Sequence, residues 1–229
     1  MNNVMMKCDM HVHSVYSDDS SITIRDITRL WEKRGIIPIV CDHDTIDGSV
    51  KVSAELRQRD RDIPVILAEE VLTSEGDIIG LFLNEEIPPS LTAAETIDMI
   101  SAQGALSIIP HPFSTLRSST IIPAVLDSII GKVDIIEGYN GARMRAGENQ
   151  MASEYAIKHR KPLSVGSDAH TPPELGGCFM NMDPFYSPSE FLASLSRSSF
   201  GPIRPMNTVC SSSYSLRKLS NTLNLFPAR

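Results

Sequence analysis

"CDMHVHSVYSDD", residues 8–19, sets two histidines one residue apart and follows them with paired aspartates, in a chain holding six histidines. Read with a period of two, Asp9, His11 and His13 share one strand face and Val12 lies on the other. Two imidazoles on one face, about 7 Å apart at the Cα level, converge on one cation where the strand end curves. Asp9, one position further back on that face, is placed to orient an imidazole as an acceptor. A solvated polar loop is the competing reading, and the rest of the chain decides between the two.

Working outward, short β-rich runs recur at residues 7–13, 36–43, 64–71, 77–83, 105–111, 133–139 and 162–168. Between them lie amphipathic helix candidates at 24–34, 49–59, 93–103, 122–130 and 148–160, with a further one at 188–196. This alternation predicts βα units, hence an α/β fold with a mostly parallel sheet. The third and fourth runs are separated only by "TSEGD", residues 73–77, which is too short for a crossover helix. A hairpin is expected there, with the fourth run antiparallel to the third. Gly35, Gly104 and Gly131 follow helix candidates, where left-handed caps are expected. Asp44 or Asp47 is the expected cap of the helix after the second run.

The strand ends carry the chemistry. His11 and His13 close the first run, Asp42 and His43 the second, and the third carries Glu69 and Glu70. His111 closes the fifth, Glu137 the sixth, and the last reaches Asp168 and His170. Metal-competent residues at the C-terminal ends of six strands converge on one face, as in a barrel active site. His159 stands apart in a basic helix tail, where a cation suits the helix dipole.

The totals set limits. At 229 residues, 41% hydrophobic and 21% charged, the chain has room for one sizeable α/β domain. We expect that domain over residues 1–200, with 201–229 a tail that is partly disordered or forms a short helix near 214–223. No apolar run is long enough to span a membrane, and the first residues show no secretory signal, so a cytoplasmic protein is expected. The net charge of −7 argues against an extended nucleic-acid surface but leaves room for a nucleotide at a local cationic site. Cys8, Cys41, Cys178 and Cys210 are scattered, so reduced thiols are expected and no thiolate zinc site.

In order, "DMHVHSVYSD", "CDHDT", "EEVLTSEG", "PHPF" and "GSDAHT" resemble the motifs of the polymerase and histidinol phosphatase (PHP) superfamily. "VDIIEGYNGARMRAGENQMASEYA" is similar to the segment before the last motif in stand-alone members, so the resemblance covers roughly residues 7–200. It implies a distorted seven-stranded, TIM-like β/α barrel with two or three divalent metal ions at the strand C-termini. His11, His13, Glu70 and Asp168 match ligands of a first metal. Glu70 would bridge to a second, also held by His111, and Asp18, His43 and His170 match a third. Two positions depart from the family pattern. Asp77 stands where a histidine is frequent, either as a harder ligand or as a hairpin residue. Ala68-Glu69-Glu70 replaces Gly-x-Glu, and strand alternation selects Glu70 over Glu69 as the inward carboxylate. Motif spacing selects Asp18 over Asp19.

A His, Asp and Glu set without cysteine suits zinc, manganese or iron. Such a cluster activates water to hydroxide and binds phosphate oxygens. Arg117, Arg143 and Arg145 follow strand ends on the same face, where their planar forks suit an anionic substrate. The expected activity is hydrolysis of a phosphomonoester or phosphodiester of a small metabolite or nucleotide through a metal-activated hydroxide. Asp168 or Glu137 would handle the proton, with metal ligand or outer acceptor as the other readings of Glu137. Two alternatives remain: an amidohydrolase-like enzyme cleaving a C–N bond, and a non-catalytic metal-binding or polymerase-assisting module. The lack of a lysine at any strand end weighs against the former, and the complete ligand set against the latter.

Overall fold

A computed structural model describes residues 5–142 and 144–202. Ten strands and six α-helices follow in the order β1 (Met6–Val12), α1 (Ile24–Arg34), β2 (Ile36–Val40), β3 (Asp42–His43), α2 (Asp47–Arg59), β4 (Ala68–Thr73), β5 (Gly76–Leu81), α3 (Ala93–Ala102), β6 (Leu106–Ile109), α4 (Pro123–Ile129), β7 (Ile135–Asn140), α5 (Glu148–Lys158), β8 (Leu163–Gly166), β9 (Met180–Met182), α6 (Pro188–Leu195) and β10 (Ser199–Phe200). The second expected run is thus two strands, β2 and β3, broken at Cys41. Strands β9 and β10 were not expected. The expected tail helix near 214–223 lies outside the described residues, as does Cys210.

Local sequence starts and stops the helices. Thr23 and Asp26 form a reciprocal capping box on α1, Thr92 and Glu95 another on α3, and Ser187 caps α6. Gly35 ends α1 in the left-handed conformation, and Gly104 adopts it just past α3. Gly131 does not have a positive φ, because α4 ends on Ile130 in a right-handed turn. The expected aspartate cap of α2 is also corrected. Its N-cap is Ile46 without a side-chain bond, and Asp44 instead accepts from the Leu72 N–H at 2.7 Å.

The strands form a six-stranded sheet in the order β3-β4-β5-β6-β7-β8 and a four-stranded sheet in the order β10-β9-β1-β2. Strand β5 runs antiparallel to both β4 and β6, and the pairs β3–β4, β6–β7 and β7–β8 are parallel. The hairpin read from "TSEGD" is present, with Gly76 at φ 129°.

The expected distorted seven-stranded barrel is met only in part: the larger sheet is a curled, six-stranded half-barrel. Strand β1 explains the difference. Its first half, Met6 to Cys8, pairs antiparallel with β9, which occupies that edge. Its second half turns to the chain beyond β8: the Asp168 N–H donates to His11 O at 2.7 Å, and the His13 N–H to Ala169 O at 3.0 Å. On the other edge the Cys41 N–H donates to Val12 O at 2.9 Å. The two sheets therefore meet at the C-terminal end of β1, where the histidines lie.

Two apolar clusters support this frame. One gathers β1, β2, α1 and α2 with Phe185 and Phe191, and the other packs α3, α4 and α5 on β5 to β7. Among the described residues no helix is long and apolar enough to cross a membrane.

Candidate metal centre

Strand alternation and two close backbone approaches bring the histidines together. Gly166 on β8 admits β1: a Cβ there would stand 2.2 Å from His11 Cβ. Gly48 at the start of α2 leaves room for Asp42, whose Oδ2 would lie 1.8 Å from an added Cβ. Asp42 in turn accepts from Ser14 N at 2.6 Å, Ser14 Oγ at 2.7 Å and Ser17 Oγ at 2.9 Å, pinning the loop after β1. Two ends carry backbone strain. His111 has φ 31° and Asp168 φ 52°, left-handed values that cost about 1–3 kcal/mol each and cluster at functional sites.

Hydrogen bonding fixes the neutral tautomers of three rings. His11 Nδ1 lies 3.0 Å from Glu137 Oε1, a carboxylate oxygen that only accepts, so Nδ1 carries the proton and Nε2 is bare. His13 Nδ1 lies 3.1 Å from Ser17 Oγ, whose one hydrogen goes to Asp42. That hydroxyl therefore accepts from His13, and His13 Nε2 is bare too. His170 Nδ1 faces the Asp168 carbonyl at 2.9 Å, which bares the third Nε2.

The bare nitrogens point at one another and at carboxylates. His11 Nε2 and His13 Nε2 are 3.1 Å apart, and Glu70 Oε2 stands 3.4 and 3.1 Å from them. Asp168 Oδ1 lies 3.6 and 3.5 Å from the same two nitrogens. It is buried and has no hydrogen-bond partner among the described residues. With both rings neutral, these four electron-pair donors face one another without a hydrogen and repel unless a positive charge sits among them, and a proton on His11 Nε2 or a metal ion supplies that charge. Burial opposes a charged His11 ring, yet Asp168, Glu70 and Glu137 hold its pKa well above the ordinary value. Burial lowers that of His13. For Asp168, burial is outweighed by His11 and Arg117, which hold its carboxyl below the usual range.

Two further groups adjoin this one. Glu70 Oε1 lies 3.1 Å from His111 Nε2, and Asp77 Oδ2 is 3.9 Å from the same nitrogen. Asp77 thus turns inward from the hairpin. Burial, then the neighbouring Glu70, push its carboxyl up to about 8. On the solvent side, Asp19 Oδ2 stands 3.2 Å from His170 Nε2 and 3.7 Å from His43 Nε2, and His43 Nδ1 is 3.4 Å from Glu70 Oε2. Among the described residues three such groups hold their ligand atoms close enough to share an ion: His11, His13 and Glu70; Glu70, Asp77 and His111; His13, Asp19, His43 and His170.

Seven of the eight expected metal residues converge: His11, His13, His43, Glu70, His111, Asp168 and His170. Asp18 does not. It is exposed, and its neighbour Asp19 takes the place expected of it. Glu69 points away from the cluster, where it accepts from the Ile87 N–H, and burial lifts its pKa to about 7. Asp9 orients no imidazole; it accepts from Ser167 N at 2.7 Å and Gly176 N at 3.1 Å. Both Glu137 oxygens are engaged, Oε1 by His11 and Oε2 by His111 N at 2.7 Å and Asn140 Nδ2 at 2.9 Å. Arg117 pairs with Asp168 Oδ2, Arg145 is exposed, and Arg143 lies outside the described residues. Asn140 and Ser17 escaped the reading as site residues, and Asp42, read among the strand-end groups, was not assigned a role. Asp42 and Asn140 stand at strand ends, the signal that selected the histidines, but their types are common in turns.

Known proteins match this frame. Residues 146–199 fit the family model described as PHP-associated. An uncharacterized protein of Methanocaldococcus jannaschii is 34% identical over 197 residues, 82% of this chain and 78% of that protein. A two-domain protein of Bacteroides vulgatus, containing a unit predicted to be a PHP-like metal-dependent phosphoesterase, superposes with a TM-score of 0.67 at 18% identity. The match covers 86% of this chain and 64% of that one. The chain belongs to the PHP superfamily. Endonuclease Q, solved with a 27-mer duplex carrying an abasic lesion at its active site, has a similar fold, with TM-score 0.59, 19% identity and coverage of 84% of this chain and 57% of that one. That complex overturns the expectation of no extended nucleic-acid surface drawn from net charge: endonuclease Q, part of which shares this fold, is solved with a DNA duplex at its active site.

Proposed function

We propose that this PHP protein is a metal-dependent phosphoesterase, hydrolysing a phosphomonoester or phosphodiester of a small metabolite or nucleotide. The observation that carries this reading is the convergence of His11 Nε2, His13 Nε2, Glu70 Oε2 and Asp168 Oδ1 on one buried spot, an arrangement that needs a positive charge among them. These residues fit a divalent ion, and the donor set suits zinc, manganese or iron. His11, His13, Glu70 and Asp168 would hold one ion, Glu70, His111 and Asp77 a second, and Asp19, His43, His13 and His170 a third. Divalent ions there supply a water of lowered pKa and charge against phosphate oxygens.

The protein's own groups divide the remaining work. Glu137, with both oxygens engaged, orients His11 rather than receiving a proton. Asp168 would hold an ion through Oδ1, and with its carboxyl held below the usual range it is a poor proton acceptor. Arg117, Arg143 and Arg145 would bind substrate oxygens, and Arg117 stands beside the cluster through its pairing with Asp168. We assign this work to residues 1–200, with 201–229 appended, and place the protein in the cytoplasm, where the thiols of Cys8, Cys41 and Cys178 stay reduced.

The test is metal analysis combined with turnover of p-nitrophenyl phosphate, its bis ester, a nucleotide panel and an abasic duplex, beside His111→Ala. Metal-dependent release of phosphate or alcohol from a small ester, lost in His111→Ala, is expected. Bound metal without cleavage of any small ester refutes the proposal, and cleavage of the duplex alone moves the substrate class to DNA.

A further inference from the structure

Asn140, the last residue of β7, is buried and has no obvious role from its sequence context. Its amide sits between the two carboxylates that the cluster depends on. Nδ2 donates to Glu137 Oε2 and to Asp168 Oδ2, each at 2.9 Å, which uses both hydrogens of the amide. Its Oδ1 accepts from the Ala142 N–H at 2.9 Å, so the amide has one satisfied orientation. The residue is itself clamped by α5. Asn140 N donates to Asn149 Oδ1 at 2.9 Å, and Asn149 Nδ2 donates back to Asn140 O at 3.0 Å.

The consequences reach two ligands. With Oε2 of Glu137 held by Asn140 and the His111 N–H, Oε1 is the oxygen presented to His11 Nδ1. In the neutral ring that contact keeps the proton on Nδ1 and leaves Nε2 bare. With Oδ2 of Asp168 held by Asn140 and Arg117, Oδ1 alone remains to face the cluster. We propose that Asn140 is a positioning residue that fixes the His11 tautomer through Glu137 and restricts Asp168 to one ligating oxygen, with Asn149 holding it in place. This deepens the phosphoesterase reading and rests on its metal site. A neutral amide suits the place because two carboxylates approach it, and a third would repel both.

Asn140→Asp keeps the size and the acceptor but removes both donated hydrogens, and Asn149→Ala releases the clamp without touching either carboxylate. Two readouts separate positioning from general support: Mn²⁺ affinity by competition with a chelator, and the His11 ring tautomer by nitrogen NMR of metal-free protein at a pH high enough for that ring to be neutral. Asn140→Asp is expected to bind Mn²⁺ about 10–100-fold more weakly, the range for partners that orient ligands. Its His11 should shift from Nδ1–H to a mixture, and its metal-free melting temperature should fall, since a third carboxylate repels the other two. Asn149→Ala should show the same changes at smaller size, and it decides the matter should Asn140→Asp fail to fold. Folded variants with parental Mn²⁺ affinity and an unchanged His11 tautomer overturn the inference and leave the phosphoesterase reading standing. A parent protein that binds no Mn²⁺, zinc or iron overturns that reading, and the tautomer measurement still decides the role of Asn140.

Discussion

Ser17 owns one hydrogen and spends it on Asp42, and this fixes the neutral tautomer of His13. Nothing in "HVHSVYSDD" announces such a constraint, because Asp42 arrives from another strand. The same loop decides between its two aspartates. Asp19 reaches His43 and His170, whereas Asp18 points to solvent, so Asp19→Ala is expected to weaken the outermost metal at least tenfold. Asp18→Ala should leave metal content and affinity at the parental level; metal titration of the two variants side by side checks this. Spacing to a motif could not separate neighbours in a loop, where no regular period applies. On the strand the period did apply, and Glu70 faces the histidines while Glu69 turns to Ile87, as the alternation requires.

At the scale of elements, the site depends on how closely strands and loops approach. Gly166 lets β8 lie against His11, and Gly166→Ala forces the two strands apart at that point. A cost of about 2 kcal/mol or more is expected from such overpacking, lowering the melting temperature by roughly 5 °C in a chain of this size. Differential scanning calorimetry measures it.

A second element-level device is Glu148 at the start of α5, which accepts from Thr115 N at 3.0 Å and Thr115 Oγ1 at 2.6 Å, and from Arg145 N at 2.7 Å. It ties the loop after β6 to the loop after β7. Burial raises its pKa, but the Thr115 hydroxyl and the two backbone N–H groups outweigh it and hold the carboxyl below the ordinary value. A depressed folded-state pKa gives stability that is present above the unfolded value and lost as pH falls through the folded one. Glu148→Gln is therefore expected to lose less stability than the parent on acidification below about pH 4.5. Urea melts across that range test it.

For the whole molecule, the cluster sits where the two sheets meet, so ions bound there tie the sheets together. Saturation at a hundredfold excess over Kd stabilises by about 2.7 kcal/mol per site, so metal should raise the melting temperature by roughly 5–10 °C and EDTA should reverse the gain. An unchanged melt after verified metal removal would sink the metal-site reading. By itself the sequence determined the helices, the hairpin and the strand ends that carry the histidines, because periodicity, capping and turn chemistry act over a few residues. It also carried the superfamily, in five ordered motifs. Tertiary structure alone decided that β9 takes half of the β1 edge, that Asp19 rather than Asp18 faces His170, and that Asn140 bridges Glu137 and Asp168. Those outcomes depend on which groups meet across long sequence separations, and no local pattern encodes a hydrogen bond to a residue still to be placed.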